Sequence, residues 1–287
     1  MKKTIISCVL FLTAVTAFSQ TPMKTAAEAK LSASDLAVKI ADRILATTTY
    51  EFKNTKTGKT YKSVKNLPLD MNVKVACKYN NWHYTNGVTH IALMELADKT
   101  GAKKYDDYVL KNMNFVFNEG NLDFFKKQYD QAMKNEGWYG VRKLSWHMIF
   151  RGKRLDDNGP MGASLIDLQM KHPNNSFLNY INETAEHLNY GEPRLADGTI
   201  ARIWPHENTI WADDAFMAIS FLARMAKMTG DMSYINDAAN QVIKYHKYLW
   251  CPEKRILYHC YHTDTDEHGV APVSYTHLRA HETAANL

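Results

Sequence analysis

Two aspartate pairs stand directly ahead of long apolar runs. Asp156-Asp157 lies in RLDDNGPMGASL, and Asp213-Asp214 follows Trp211 in IWPHENTIWADD. A carboxyl beside aromatic rings, at the mouth of a buried helix, tends to keep its proton, because burial and a second carboxylate both penalise the anion. Asp213-Asp214 is therefore the candidate setting for a proton donor, with Asp156-Asp157 as its companion pair. An aspartate at a helix start is also a common cap and a partner of the helix dipole. Spacing alone leaves the capping and the catalytic readings both open. Trp82, Tyr84, Trp204 and Trp211 offer flat platforms nearby, and Asn158 and His206 offer polar contacts. Flat rings mixed with short polar groups suit sugars, which present apolar faces rimmed by hydroxyls. Asn86, Arg202 and Asp214 complete the candidate substrate-binding set.

Other chemistries are missing their signatures. There is no Gly-rich phosphate loop, no G-x-S-x-G elbow and no H-E-x-x-H. No Cys/His spacing fits a zinc site. Met217, Met225 and Met228 fall at helical spacing as core filler. The formal charge is +5, or +3 without Lys2 and Lys3, which is too mild to imply nucleic acid.

The elements that hold these residues recur. ALMELADKTGAKKYDDYVLKNMNFVF and FLARMAKMTGDMSYINDAANQVIKYHKYL share a pattern: an apolar helix, a Thr-Gly stop, a turn, a Tyr and a second helix. SLIDLQMKHPNNSFLNYINETAEHL is a third version, with His172-Pro173 at the stop. Between Ala215 and Met228 the polar residues are Ser220, Arg224 and Lys227, one narrow stripe, so this helix is expected to be buried on most sides. Its partner carries Tyr234, Ala238, Val242, Tyr245 and Leu249 on one face and is expected to be half exposed. Alternating buried and half-exposed helices suit a double ring, though a solenoid of helical hairpins has the same periodicity. No period-2 stretch is long enough to argue for a sheet. The segments entering the three buried helices carry the aromatics and acids, so one rim of a ring would gather them.

The ends read differently from the middle. Lys2 and Lys3, an apolar run from Ile5 to Val15, and Ala17-Phe18-Ser19 form a secretory signal with cleavage expected after Ser19. The run is too short for a membrane anchor, so a secreted or periplasmic protein is expected. VSYTHLRAHET, from Val273, resembles one reading frame of a transposase-type sequencing adaptor. Residues 273–287 are accordingly set aside, His277 and His281 with them, and residues 20–272 are taken as a partial catalytic domain. Cys77, Cys251 and Cys260 follow the signal, and the last two could pair across a turn. Oligomeric state is not legible.

WHYTNGVTHIALMELADKTG, LDDNGPMGASL, TIWADDAFMAISFLARMAKMTGD, YINDAANQVIKYHKYL and ILYHCYH, in that order, resemble glycoside hydrolase families 88 and 105, most closely the unsaturated rhamnogalacturonyl hydrolases of family 105. The resemblance implies an (α/α)6 barrel, incomplete here at its C-terminal side. It implies removal of a 4,5-unsaturated uronic acid from lyase-made oligosaccharides, pectin-derived ones above all, by hydration of the C4=C5 bond and without metal or organic cofactor. Asp213 takes the family's acid/base position, following W-x. Asp157 is placed by its distance to Gly162 as the residue that holds ring hydroxyls and tunes Asp213. Where relatives carry a histidine before the Pro-aromatic segment, this chain offers Arg202 or His206. Relatives also continue into a W-G-R-G-N-G-W segment, which this sequence lacks. As written, the chain is expected to expose inner-helix surface, to fold poorly and to show little activity.

Overall fold

Three inner helices set the architecture: α2 (Tyr84–Thr100), α6 (Leu155–Lys171) and α8 (Ala212–Thr229). They pack side by side in that order, and each is backed by the helix that follows it. These are α3 (Lys104–Val116), α7 (Asn175–Glu186) and α9 (Met232–Leu249). The computed structural model describes residues 32–269 except Lys153, and residues 37–269 form the unit considered below. The signal run and the residues from 273 onward lie outside the described residues. Before α2 come α1 (Ala33–Thr47) and a small antiparallel sheet, β2-β1-β3, made of Phe52–Asn54 (β1), Thr60–Tyr61 (β2) and Val73–Val75 (β3). Between the first two hairpins lie α4 (Glu119–Val141), broken at Gly137, and the single turn α5 (Met148–Arg151).

The hairpins end where the sequence says they should. Gly101 and Gly230 sit in the left-handed region, at φ 71° and 76°, which glycine adopts without steric cost. Asn174 and Asp231 cap α7 and α9 through their side chains. Helix α6 is buried along most of its length, from Leu155 through Leu168. The polar stripe of α8 is used, since Arg224 Nε donates to Asp167 of α6 at 2.7 Å. Two glycines let the inner helices close up. A Cβ on Gly87 would meet the Pro160 carbonyl carbon at 2.3 Å, and one on Gly159 would meet the Met217 carbonyl oxygen at 2.4 Å. Both contacts lie towards the helix N-termini, so the leading residues of α2, α6 and α8 share one rim. Phe177, Ile181, Phe221 and Leu222 fill the space between inner and outer layers, each contributing roughly 1.5–3 kcal/mol by burial.

Three expectations change. The buried face of α9 is Ala238, Gln241, Tyr245 and Leu249; Val242 is exposed. Gln241 turns inward because it serves the preceding loop: its side chain accepts from Ile200 N–H at 3.0 Å and donates to the Gly198 carbonyl at 3.0 Å. The Cys251–Cys260 pairing that the turn allows is not made. Cys260 Sγ donates to the Gly269 carbonyl instead. Short strands are present, at two or three residues too brief to leave a period-2 signal. They include β4 (Thr209–Trp211), β5 (Trp250–Cys251), β6 (Ile256–Leu257), β7 (Cys260–His262) and β8 (Glu267–Gly269). The third change concerns the rim itself. No described helix is long and apolar enough to cross a membrane.

Candidate active site

Each aspartate pair opens an inner helix, and consecutive residues at a helix start point about 100° apart. One member of each pair must therefore turn inward. At α6 it is Asp157, which is fully buried and gripped by the Nε and Nη2 of Arg151. At α8 it is Asp214, held by Arg202 through Nε and Nη2 at 2.7 Å each. Burial raises both carboxyls against the pull of their arginines, Asp214 to about 6. Each arginine leaves its carboxylate little capacity for a ligand. The expectation of Asp157 as a second catalytic carboxylate is corrected accordingly: it is an internal anchor, and Asp156 faces the rim. Asp214 is likewise an anchor and not a sugar contact.

The outward members are Asp156 and Asp213. Arg202 spans the gap between helices, reaching Asp156 at 3.4 Å while bound to Asp214. Asp213, with its side chain 45% exposed, receives a hydrogen bond of 2.6 Å from His259 Nε2. Burial raises its carboxyl, but the bond and charge of His259, with Arg202 behind, outweigh that and leave it below the usual range. The expected neutral carboxyl is thus overturned: Asp213 sits in a hydrogen-bonded pair that favours its anion. Of the two residues offered for the histidine's place, Arg202 lies at the rim and His206 stands away from it. His206 is exposed, with its ring 5.8 Å from that of His262.

His259 is delivered by backbone pairing. Strand β4 runs antiparallel to β7, with Trp211 opposite Cys260. Ala212 N–H donates to the His259 carbonyl at 2.8 Å. The imidazole then stands edge-on to Trp211, with centroids 5.2 Å apart. The residue lies 46 positions beyond Asp213, and only the family resemblance could have pointed to it.

The aromatics divide differently from the expectation. Trp82 is fully buried, donating through Nε1 to the Asp157 carbonyl at 2.8 Å, and packs edge-on against Tyr180. It is core, not a platform. Asn86 and Asn158 are also buried. The first ties down Lys78 and Asn81 carbonyls, and the second bonds to the Gly152 carbonyl and the Tyr180 hydroxyl. Trp211 is a wall, its face covered by the Arg202 guanidinium at 4.4 Å. Tyr84 remains open at the head of α2; burial and then the charges of Asp156 and Asp213 raise its hydroxyl. Trp204 is the most exposed ring of the set, at 60%, on the loop that Arg202 N–H closes onto the Thr209 carbonyl. The Arg154 guanidinium lies 4.8 Å from the centre of that ring.

Behind the rim, Glu192 is buried against His187, with Oε2 2.9 Å from Nε2. It follows the π-helical turn His187–Gly191. Burial, and then the negative charge of Asp214, push Glu192 up to about 8. Among the described residues no three His, Cys, Asp or Glu side chains are arranged to hold a metal ion.

The sequence matches the family model for Glycosyl Hydrolase Family 88 over residues 56–275. No match is found among curated proteins. Similar folds occur in a possible member of glycoside hydrolase family 105 from Klebsiella pneumoniae, at 13% identity and TM-score 0.53, covering 88% of this chain and 58% of that one. A glycoside hydrolase of family 105 from C. acetobutylicum is 21% identical, with TM-score 0.52, covering 84% of this chain and 54% of the other. This chain thus spans little more than half of each, and the likeness carries the (α/α)6 fold.

Proposed function

The chain belongs to glycoside hydrolase family 88, and from that premise we propose that it removes a 4,5-unsaturated uronic acid from the non-reducing end of lyase-made oligosaccharides. The supporting observation is the Asp213–His259 pair, which stands at the rim where Asp156, Tyr84 and Trp211 converge. A vinyl ether carries electron density at C4, so a proton there generates a positive centre at C5 stabilised by the ring oxygen. Asp213, which rests as the acceptor of the His259 bond, relays a proton from His259 to C4. A hydrogen bond of this length lets the pair hold one proton between two heavy atoms. Water then adds its hydroxyl to C5, and its remaining proton returns to Asp213. The product is a hemiketal at C5. Its ring opens, and the unstable C1 centre sheds the next sugar as an alcohol.

The other rim residues take supporting roles in this reading. Asp156 accepts from ring hydroxyls, Tyr84 bounds the sugar, and Trp211 backs Arg202 and His259 from beneath. Arg202 and Arg151 keep the inward carboxylates charged and the rim rigid. The rhamnose-linked products of pectin breakdown are the preferred substrates, and export follows cleavage of the signal after Ser19. Incubation with lyase digests tests the activity: the ultraviolet absorbance of the C=C–carboxylate should fall, fastest on rhamnogalacturonan products. Release of reducing ends from saturated oligosaccharides, with that absorbance untouched, would replace hydration by ordinary glycoside hydrolysis.

A further inference from the structure

Three arginines surround the two aspartate pairs, and two of them are spent. Arg151 is committed to Asp157 and Arg202 to Asp214 and Asp156. The third, Arg154, makes no hydrogen bond or ion pair with a described residue. It is half-buried; burial and the like charges of Arg151 and Arg202 oppose its charge, and Asp157 and Asp156 offset them in part without a hydrogen bond to it. A partly desolvated guanidinium beside two others is unfavourable unless something compensates. What holds it is Trp204, whose ring it covers at 4.8 Å. Stacking fixes the plane of the guanidinium and leaves its N–H edges unclaimed. The same tryptophan is 60% exposed, as is its neighbour Ile203 at 66%. An oriented cation with no carboxylate in hydrogen-bond contact, mounted on an open aromatic ring, is an incomplete contact.

We propose that Arg154 and Trp204 form a subsite for an acidic group on the bound oligosaccharide, with the sugar resting on the free part of the Trp204 ring and its carboxylate or sulfate oxygens taking the N–H edge of Arg154. The subsite rests on the reading of the rim as a sugar site. The anion is either the carboxylate of the unsaturated uronate or an acidic substituent on the sugar that follows. Both present two coplanar or near-coplanar oxygens, which a guanidinium binds in a fork and an ammonium does not.

The test is calorimetric binding to the full chain carrying Asp213→Asn, so that ligands are not consumed. Two unsaturated disaccharides serve as probes, one with a neutral second sugar and one with a sulfated second sugar. Adding Arg154→Gln should weaken binding at least about tenfold on one probe or both and flatten its salt dependence, as expected for a lost charged hydrogen bond. Equal weakening assigns the anion to the uronate, and weakening confined to the sulfated probe assigns it to the second sugar. Arg154→Lys should recover part of the loss, and Trp204→Ala should weaken both probes. Affinities within about twofold of the parent for a folded Arg154→Gln chain, on both probes, would overturn the subsite. Should that variant unfold, an unchanged affinity in Arg154→Lys together with Trp204→Ala overturns it equally. Arg154-dependent binding by a wild-type chain that leaves the absorbance of lyase digests unchanged would refute the hydrase reading and keep the subsite. Normal turnover with Arg154-independent binding would do the reverse.

Discussion

The entrances of α6 and α8 carry the same dipeptide and put it to different use. In each, the second aspartate turns inward and is clasped by an arginine from a neighbouring segment, Arg151 for Asp157 and Arg202 for Asp214. The first aspartate faces the rim. There the likeness stops. Asp213 has a histidine within 2.6 Å, whereas the hydrogen-bond partner of Asp156 among the described residues is the far end of Arg202, at 3.4 Å. A histidine can pass a proton near neutral pH and an arginine cannot. The partner, more than the carboxylate, separates a proton-transfer site from a binding site.

Substitutions can break or sharpen that contrast. Asp213→Asn should lower kcat by about 10²–10⁴-fold with an unchanged melting temperature. An equal loss in Asp156→Asn would erase the distinction. Arg202→Met should cost about 3–5 kcal/mol in urea unfolding, since it strands the buried Asp214 charge. Arg151→Met should behave alike if the two entrances share one anchoring logic. His259→Ala should reduce kcat/KM by about tenfold or more and move the titration of Asp213 upward, because the bond that favours its anion is gone; a pH profile reads both. Asp156→Asn should raise KM by about tenfold or less with little change in kcat.

The smallest effect concerns Glu192, which sits behind both entrances. Its folded carboxyl lies near 8 against an ordinary 4.5. Between those values the folded chain holds a proton that the unfolded chain has lost, so stability falls as pH rises through that window. Glu192→Gln should remove this slope, seen as melting temperatures that decline less between pH 5 and 8. An unaltered slope would place the titration elsewhere.

The hairpins were legible because their signals are local: a glycine stop, an apolar run and a tyrosine repeat within about 30 residues. The acidic rim was legible as a place. Which aspartate of each pair faces it was not, since one residue of helical rotation exchanges inside for outside and both positions are Asp. Trp82 misled for a related reason. Its neighbours Asn81, His83 and Tyr84 read as rim, while the ring itself turns back toward Tyr180 and Trp146. His259 depends on strand register set across a long stretch of chain, which residue composition does not encode. Gln241 belongs to the buried face of α9 for a reason its own helix does not carry: the loop it satisfies lies elsewhere in the chain.

The pairing of β4 with β7 makes the reach between Asp213 and His259 a matter of chain counting. Main-chain bonds fix which residue stands opposite Trp211, so the outward side chains of the ribbon can change freely. Adding or deleting one residue in the turn ahead of His259 cannot be absorbed in that way. It would swing the imidazole to the opposite side of the ribbon and silence the acid while every atom of Asp213 stayed in place.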